Sequence, residues 1–177
     1  MADFPSKVTT ETSPPQPNQG FAISAFLDLD FIKTIPAILM MAEIVLGLLV
    51  WALIASTTYT LVPAFGWVMF VSVTLWILTI VLFGMLLSGV HHKLTSVPWL
   101  LVVMVFNGVA AVLYLTAFLT NAASIHYYRL FIHFYNHTAA AAFFGIVVTL
   151  TYGASAFFSY LAWKGDEGNA ASNTVPV

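Results

Sequence analysis

Glu43 is the residue whose type and position could do the most chemistry. It is the one formally charged side chain inside any of four long apolar runs, at 35–55, 65–90, 97–120 and 139–163. An ionised carboxylate in hydrocarbon costs several kcal/mol, so an acid at that depth has a purpose. One reading is a site that takes up and releases a proton or a cation. The other is a neutral acid hydrogen-bonded to a polar group on a neighbouring helix, for which Asn107 in the third run is the candidate of matching depth. The packing reading is preferred, because no second acid, arginine or glycine-rich break in these runs completes a relay. It predicts that Glu43 and Asn107 form an intramembrane polar pair.

Histidines are the next candidates. His133 and His137 stand four apart, the spacing of two ligands on one helix face. No cysteine exists in the chain and no carboxylate lies near them, so a metal site is not expected. His91 and His92 follow the second run, and His126 precedes His133. Asn136-His137-Thr138 is a glycosylation sequon. It lies almost at the start of the fourth run, where low occupancy is expected. No phosphate-binding loop, nucleophile triad or metal-spaced cysteine and histidine set is present. The chain therefore reads as no enzyme, with no cofactor.

The elements that carry these residues are the runs themselves. Each has 21 or more residues. A helix rises about 1.5 Å per residue, so about 20 residues cross a hydrocarbon core of ~30 Å. Hydrophobic residues make up 60% of the chain and charged residues 7%, against about 25% charged in soluble domains. An all-α membrane protein with four transmembrane helices follows. A net charge of −2 without Lys or Arg clusters gives no footprint for nucleic acid. The lack of cysteine excludes palmitoylation, and Ala2 excludes N-myristoylation. No cleaved signal peptide is read, so the first span serves as signal anchor.

Residues 1–20 are polar and rich in proline and read as a disordered tail containing a PxxP segment, Pro14-Pro15-Gln16-Pro17. Residues 21–31 form an interfacial candidate, with Asp28 and Asp30 placed to complement the start of the first helix. The membrane domain runs over 32–164. A second disordered tail, 165–177, ends in Val175-Pro176-Val177, a loose match to a PDZ ligand. Lys7, Lys33, Lys93 and Lys164 share one side and only Arg129 the other, which predicts both termini in the cytosol.

Packing signals are also present. Ala141, Gly145, Thr149 and Gly153 repeat every four residues in the fourth span, and Gly84 and Ser88 do so in the second. Small residues let helices approach closely, so the fourth-span stripe reads as a packing face, toward a neighbour within the bundle by preference or toward another protomer. Between the third and fourth spans, Ile125, Tyr128, Ile132 and Tyr135 recur at helical spacing, with His126, Arg129 and His133 on the other face. With Tyr127 and Phe131, this reads as an outer interfacial helix with aromatic anchors, or a helical extension of a span.

Strings such as Leu46-Gly47-Leu48-Leu49-Val50-Trp51-Ala52-Leu53-Ile54-Ala55, Gly66-Trp67-Val68-Met69-Phe70 and Tyr152-Gly153-Ala154-Ser155-Ala156-Phe157-Phe158-Ser159-Tyr160 carry a resemblance over nearly the whole chain. The sequence resembles the MARVEL group of four-span membrane proteins. The resemblance implies a four-helix bundle with cytosolic termini, association with cholesterol- and sphingolipid-rich membrane, and self-association into a homo-oligomer. It further implies support of vesicle formation and of apical or endosomal sorting through cytosolic adaptors. The locations implied are plasma membrane, apical or myelin, and endosomal or Golgi vesicles. It implies neither enzymatic activity nor a cofactor. The competing class is a small proton-coupled transporter or channel built on Glu43. Adhesion tetraspans such as claudins and tetraspanins depend on cysteine-bearing outer loops, which a chain without cysteine does not have.

Overall fold

A computed structural model describes residues 29–89, 97–129 and 132–172. A short helix α1 (Leu29–Ile32) leads into α2 (Ile35–Ala55), α3 (Pro63–Leu87), α4 (Trp99–Ser124) and α5 (Ile132–Ser172). The last four are each long and apolar enough to cross a membrane. They form an up-down-up-down bundle. The pairs that pack are α2 with α3, α3 with α4, α4 with α5, and α5 back onto α2. Both ends of the described chain therefore lie at one end of the bundle. The core comprises a large cluster that includes Phe65, Val68, Tyr114, Val148 and Tyr152, and a smaller one of Met40, Leu82, Leu86 and Val103.

Helix ends follow local chemistry. Thr34 caps α2: its hydroxyl faces the Ala37 N–H, and Pro36 occupies the first turn, where no intrahelical donor is needed; Asp28 lies outside the described residues. Asp30 instead falls within α1. Pro63 opens α3 in the same way. Gly89 ends α3 with φ 65°, the left-handed conformation that only glycine adopts cheaply, and its N–H closes on the Leu86 carbonyl.

The first span matches its apolar run to the residue. The second covers Pro63–Leu87 rather than 65–90, because Pro63 is an acceptable first helical residue and Gly89 a stop. The other two outgrow their runs. The third reaches Ser124 and continues as a 3-10 turn, Ile125–Tyr128, and the fourth starts at Ile132, ahead of residue 139. Polar side chains do not stop a helix once it leaves the apolar layer. For the same reason α5 continues to Ser172, through part of the segment 165–177 expected to be a disordered tail. The outer connection is thus an extension of both spans, not a separate interfacial helix. The 3-10 turn breaks the phase of the helical spacing. Tyr128 turns inward, 5% exposed and stacked on Phe65 at 5.3 Å, whereas Ile132 is 73% exposed. Tyr127, Arg129, His133 and Tyr135 are exposed. Phe131, His91, His92, Lys93 and both tail motifs lie outside the described residues.

The small-residue stripe of the fourth span divides. Ala141 and Gly145 are buried, and a Cβ on Gly145 would stand 3.7 Å from that of Phe118 in α4. Thr149 is half-buried and Gly153 is exposed. A period of four advances about 40° per step on a helix of about 3.6 residues per turn, so the stripe rotates out of the contact. The buried face follows Ala141, Gly145, Val148, Tyr152, Ser155 and Ser159 instead. Gly84 and Ser88 are also exposed, so this pair packs against no helix of the bundle.

Candidate functional site

Hydroxyl groups within an apolar layer need acceptors, and most of them find one a turn back on their own helix. Ser72 donates to the Val68 carbonyl (2.7 Å), Thr116 to Leu113 (2.7 Å) and Thr149 to Gly145 (2.8 Å). These side chains can then face any neighbour without an orphan group. A smaller set bonds between helices, and two of these bonds meet at the bundle axis.

Ser155 of α5 donates to the Glu43 Oε1 of α2 at 2.5 Å. Three residues earlier, Tyr152 shares a 2.6 Å hydrogen bond with Thr79 of α3. The Tyr152 ring stacks on that of Tyr114 in α4, centroids 5.5 Å apart, and meets Phe106 edge-on at 6.4 Å. Glu43, Thr79, Asn107, Tyr114 and Tyr152 are each 1% exposed or less. All four spans thus contribute to one buried polar cluster. Within it the Glu43 Oε2, both amide atoms of Asn107 and the Tyr114 hydroxyl have no hydrogen-bond partner among the described residues.

Glu43 and Asn107 share this cluster but do not pair. They lie at equal depth, each eight residues past the start of its helix. Their helices are diagonal in the bundle, however, and the shorter side chain does not span it. The neighbour α5 supplies the partner. A long tyrosine does reach across: its hydroxyl lies 3.2 Å from where a Cβ on Gly47 would stand. Gly47 therefore makes room for Tyr114. Alanine usually stabilises a helix interior by about 1 kcal/mol over glycine. Here Gly47→Ala is expected to lower the melting temperature, and in a Tyr114→Phe background to raise it. Melting of the purified full chain, followed by tryptophan fluorescence, checks both signs.

Trp76 is the one tryptophan well inside a span, and its surroundings explain it. Its indole N–H donates to the Ile44 carbonyl of α2 at 3.0 Å, and its ring meets Trp51 edge-on at 5.5 Å. Two further polar ties close the end of the bundle away from the termini. His137 Nδ1 and Ser56 Oγ are 2.6 Å apart, and Asn121 donates to the Thr138 carbonyl at 3.2 Å. The His137 and His133 rings lie 4.2 Å apart, but no group of three metal-ligating side chains gathers among the described residues.

Sequence reasoning missed Ser155, Tyr152, Thr79, Tyr114 and Gly47. The usable signal was spacing: Val148, Tyr152, Ser155 and Ser159 alternate by four and three, and Asn107 and Tyr114 are two helical turns apart. Chemically, the cluster can hold a proton on Glu43 and orient four helices. The outer faces offer lipid a different surface, with Val45, Phe70, Val112, Phe143 and Leu150 among the exposed large apolar side chains.

The geometry agrees with what the chain is similar to. Residues 31–158 match the MARVEL family, described as a membrane-associating domain. The chain is 58% identical to plasmolipin of Danio rerio over 100% of both chains. It is 52% identical to plasmolipin of Homo sapiens, covering 99% of this chain and 97% of that one. It is 44% identical to human CKLF-like MARVEL transmembrane domain-containing protein 8, over 89% of this chain and 91% of that one. No solved structure matches. A multi-pass integral membrane protein, this chain belongs to the MARVEL family and, within it, to the plasmolipin group.

Proposed function

We propose that this chain is a non-enzymatic organiser of membrane. It gathers cholesterol- and sphingolipid-rich bilayer, self-associates, and supports vesicle formation, apical and endosomal sorting and the assembly of myelin membrane. Both termini lie in the cytosol, where the tails meet sorting adaptors. The observation that carries this reading is the division of the surface: within the apolar layer the hydrogen-bonding groups turn inward, back onto their own helix or, as Trp67 to Thr116, onto the next one, and large apolar side chains face out. Length adds support. The parts of α3 and α4 that lie within their apolar runs, 65–87 and 99–120, extend about 33–35 Å, somewhat more than a ~30 Å hydrocarbon core and suited to thicker, sterol-rich bilayers. Mismatch costs a fraction of a kcal/mol per Å, so many copies together would sort lipid by thickness.

Partition of the labelled full chain between ordered and disordered phases of giant vesicles tests this. Enrichment in the ordered phase is expected, and strong exclusion from it would remove the mechanism.

The unpartnered Glu43 Oε2, Asn107 amide and Tyr114 hydroxyl favour a second reading, a proton-coupled transporter or channel. That reading requires acid-driven flux into proteoliposomes that Glu43→Gln abolishes.

A further inference from the structure

Arg129 is the only arginine of the chain, and no Asp or Glu occurs between Glu43 and Asp166. The end of the bundle away from the termini thus carries one permanent cation and no side chain able to neutralise it. The backbone there is not flat. A cavity of about 740 Å³ opens between the last turns of α4 and the first turn of α5, with Arg129, His126, Tyr135 and Asn136 among its polar walls and Ile125 and Ile132 among its apolar ones. Its size falls within the ~300–1,000 Å³ of ordinary ligand sites.

We propose that this cavity binds an anionic lipid headgroup, a phosphate or sulfate ester, with Arg129 as the anchoring cation. The guanidinium fork matches two oxygens of such a group. The His126 Nδ1 lies 2.8 Å from the Ala123 carbonyl. A carbonyl only accepts, so Nδ1 carries the proton and the ring edge bearing Nε2 is set by that bond. The Asn136 amide adds donors. Position selects lipid over a free anion. The cavity joins the ends of two membrane-spanning helices, just past the apolar runs that end at 120 and resume at 139, and Ile132 (73% exposed) offers apolar surface to an acyl chain. Asn136 belongs to the sequon, so a glycan there and a bound headgroup would compete for one space. The proposal goes beyond the membrane-organising reading, which requires no particular headgroup.

Unglycosylated full chain made in bacteria and placed in nanodiscs tests it. The discs hold phosphatidylcholine with a minor share of phosphatidylglycerol, and native mass spectrometry counts the lipids retained. A preference for phosphatidylglycerol is expected that falls about fivefold in Arg129→Gln, the weight of one interfacial cation. Arg129→Lys should keep part of it. Lys164→Gln, at the opposite end, should keep all of it, and melting curves confirm that each variant folds. An unchanged preference in Arg129→Gln, or an equal fall in Lys164→Gln, overturns the proposal. Inorganic phosphate and sulfate are titrated in parallel against detergent-solubilised protein. Binding of either as tight as that of the lipid would mean a free-anion site and also overturn it.

Discussion

Tyr152→Ala is expected to cost about 3 kcal/mol of stability, the largest effect of any single truncation in the bundle. Tyr152 is 1% exposed, stacks on Tyr114, meets Phe106 edge-on and bonds Thr79. Deleting a buried aromatic side chain costs roughly 3–5 kcal/mol in soluble proteins. Lipid is as apolar as the core, so the transfer part of that figure is reduced here, and lost contacts around a cavity dominate. Tyr152→Phe separates the two contributions. It keeps the ring contacts and removes one hydrogen bond, and Thr79 can turn to a carbonyl of its own helix. A loss of about 1 kcal/mol or less is expected. Denaturation of both variants in mixed micelles measures the pair. Equal losses would mean that the hydroxyl, not the ring, ties α5 to the bundle.

The second large effect concerns Glu43. Glu43→Gln keeps an acceptor for the Ser155 hydroxyl and is expected to preserve folding and melting temperature. Glu43→Leu removes the acceptor, and Ser155 is only 3% exposed. Interhelical hydrogen bonds in membranes are worth about 0.6–1.7 kcal/mol, so a loss of about 1–2 kcal/mol is expected. The difference between the two variants in a thermal melt carries the prediction. If they melt alike, Glu43 does not hold α2 to α5. Because Gln keeps the bond but cannot give up a proton, the same pair separates packing from transport: a packing acid tolerates Gln, a proton carrier does not.

The fate of the sequence expectations shows where information about a membrane bundle resides. The span 35–55 was legible to the residue, since an apolar run of bilayer length with a single acid in it has one favourable environment and Thr34 with Pro36 mark its start. Helix ends beyond the apolar layer were not legible, because hydropathy falls there while the helix continues, as at Ile132 and Ser172. The stripe from Ala141 to Gly153 divides between the bundle contact and the outer surface, because a strict period of four drifts around the helix. Tyr128 was placed among interfacial aromatics and instead packs on Phe65, since the 3-10 turn rotates it inward.

By itself, the sequence determined the number of spans, their approximate bounds, the family, the single acid among them and the single cation at the far end. Each of these depends on composition along the chain, which hydrocarbon reads directly. Only the tertiary structure decided which polar groups meet. Glu43 and Ser155 are 112 residues apart, and Thr79 and Tyr152 are 73. In a soluble helix an apolar stripe announces the buried face. In lipid the outward face is as apolar as the inward one, so that signal disappears and facing is left to side-chain packing.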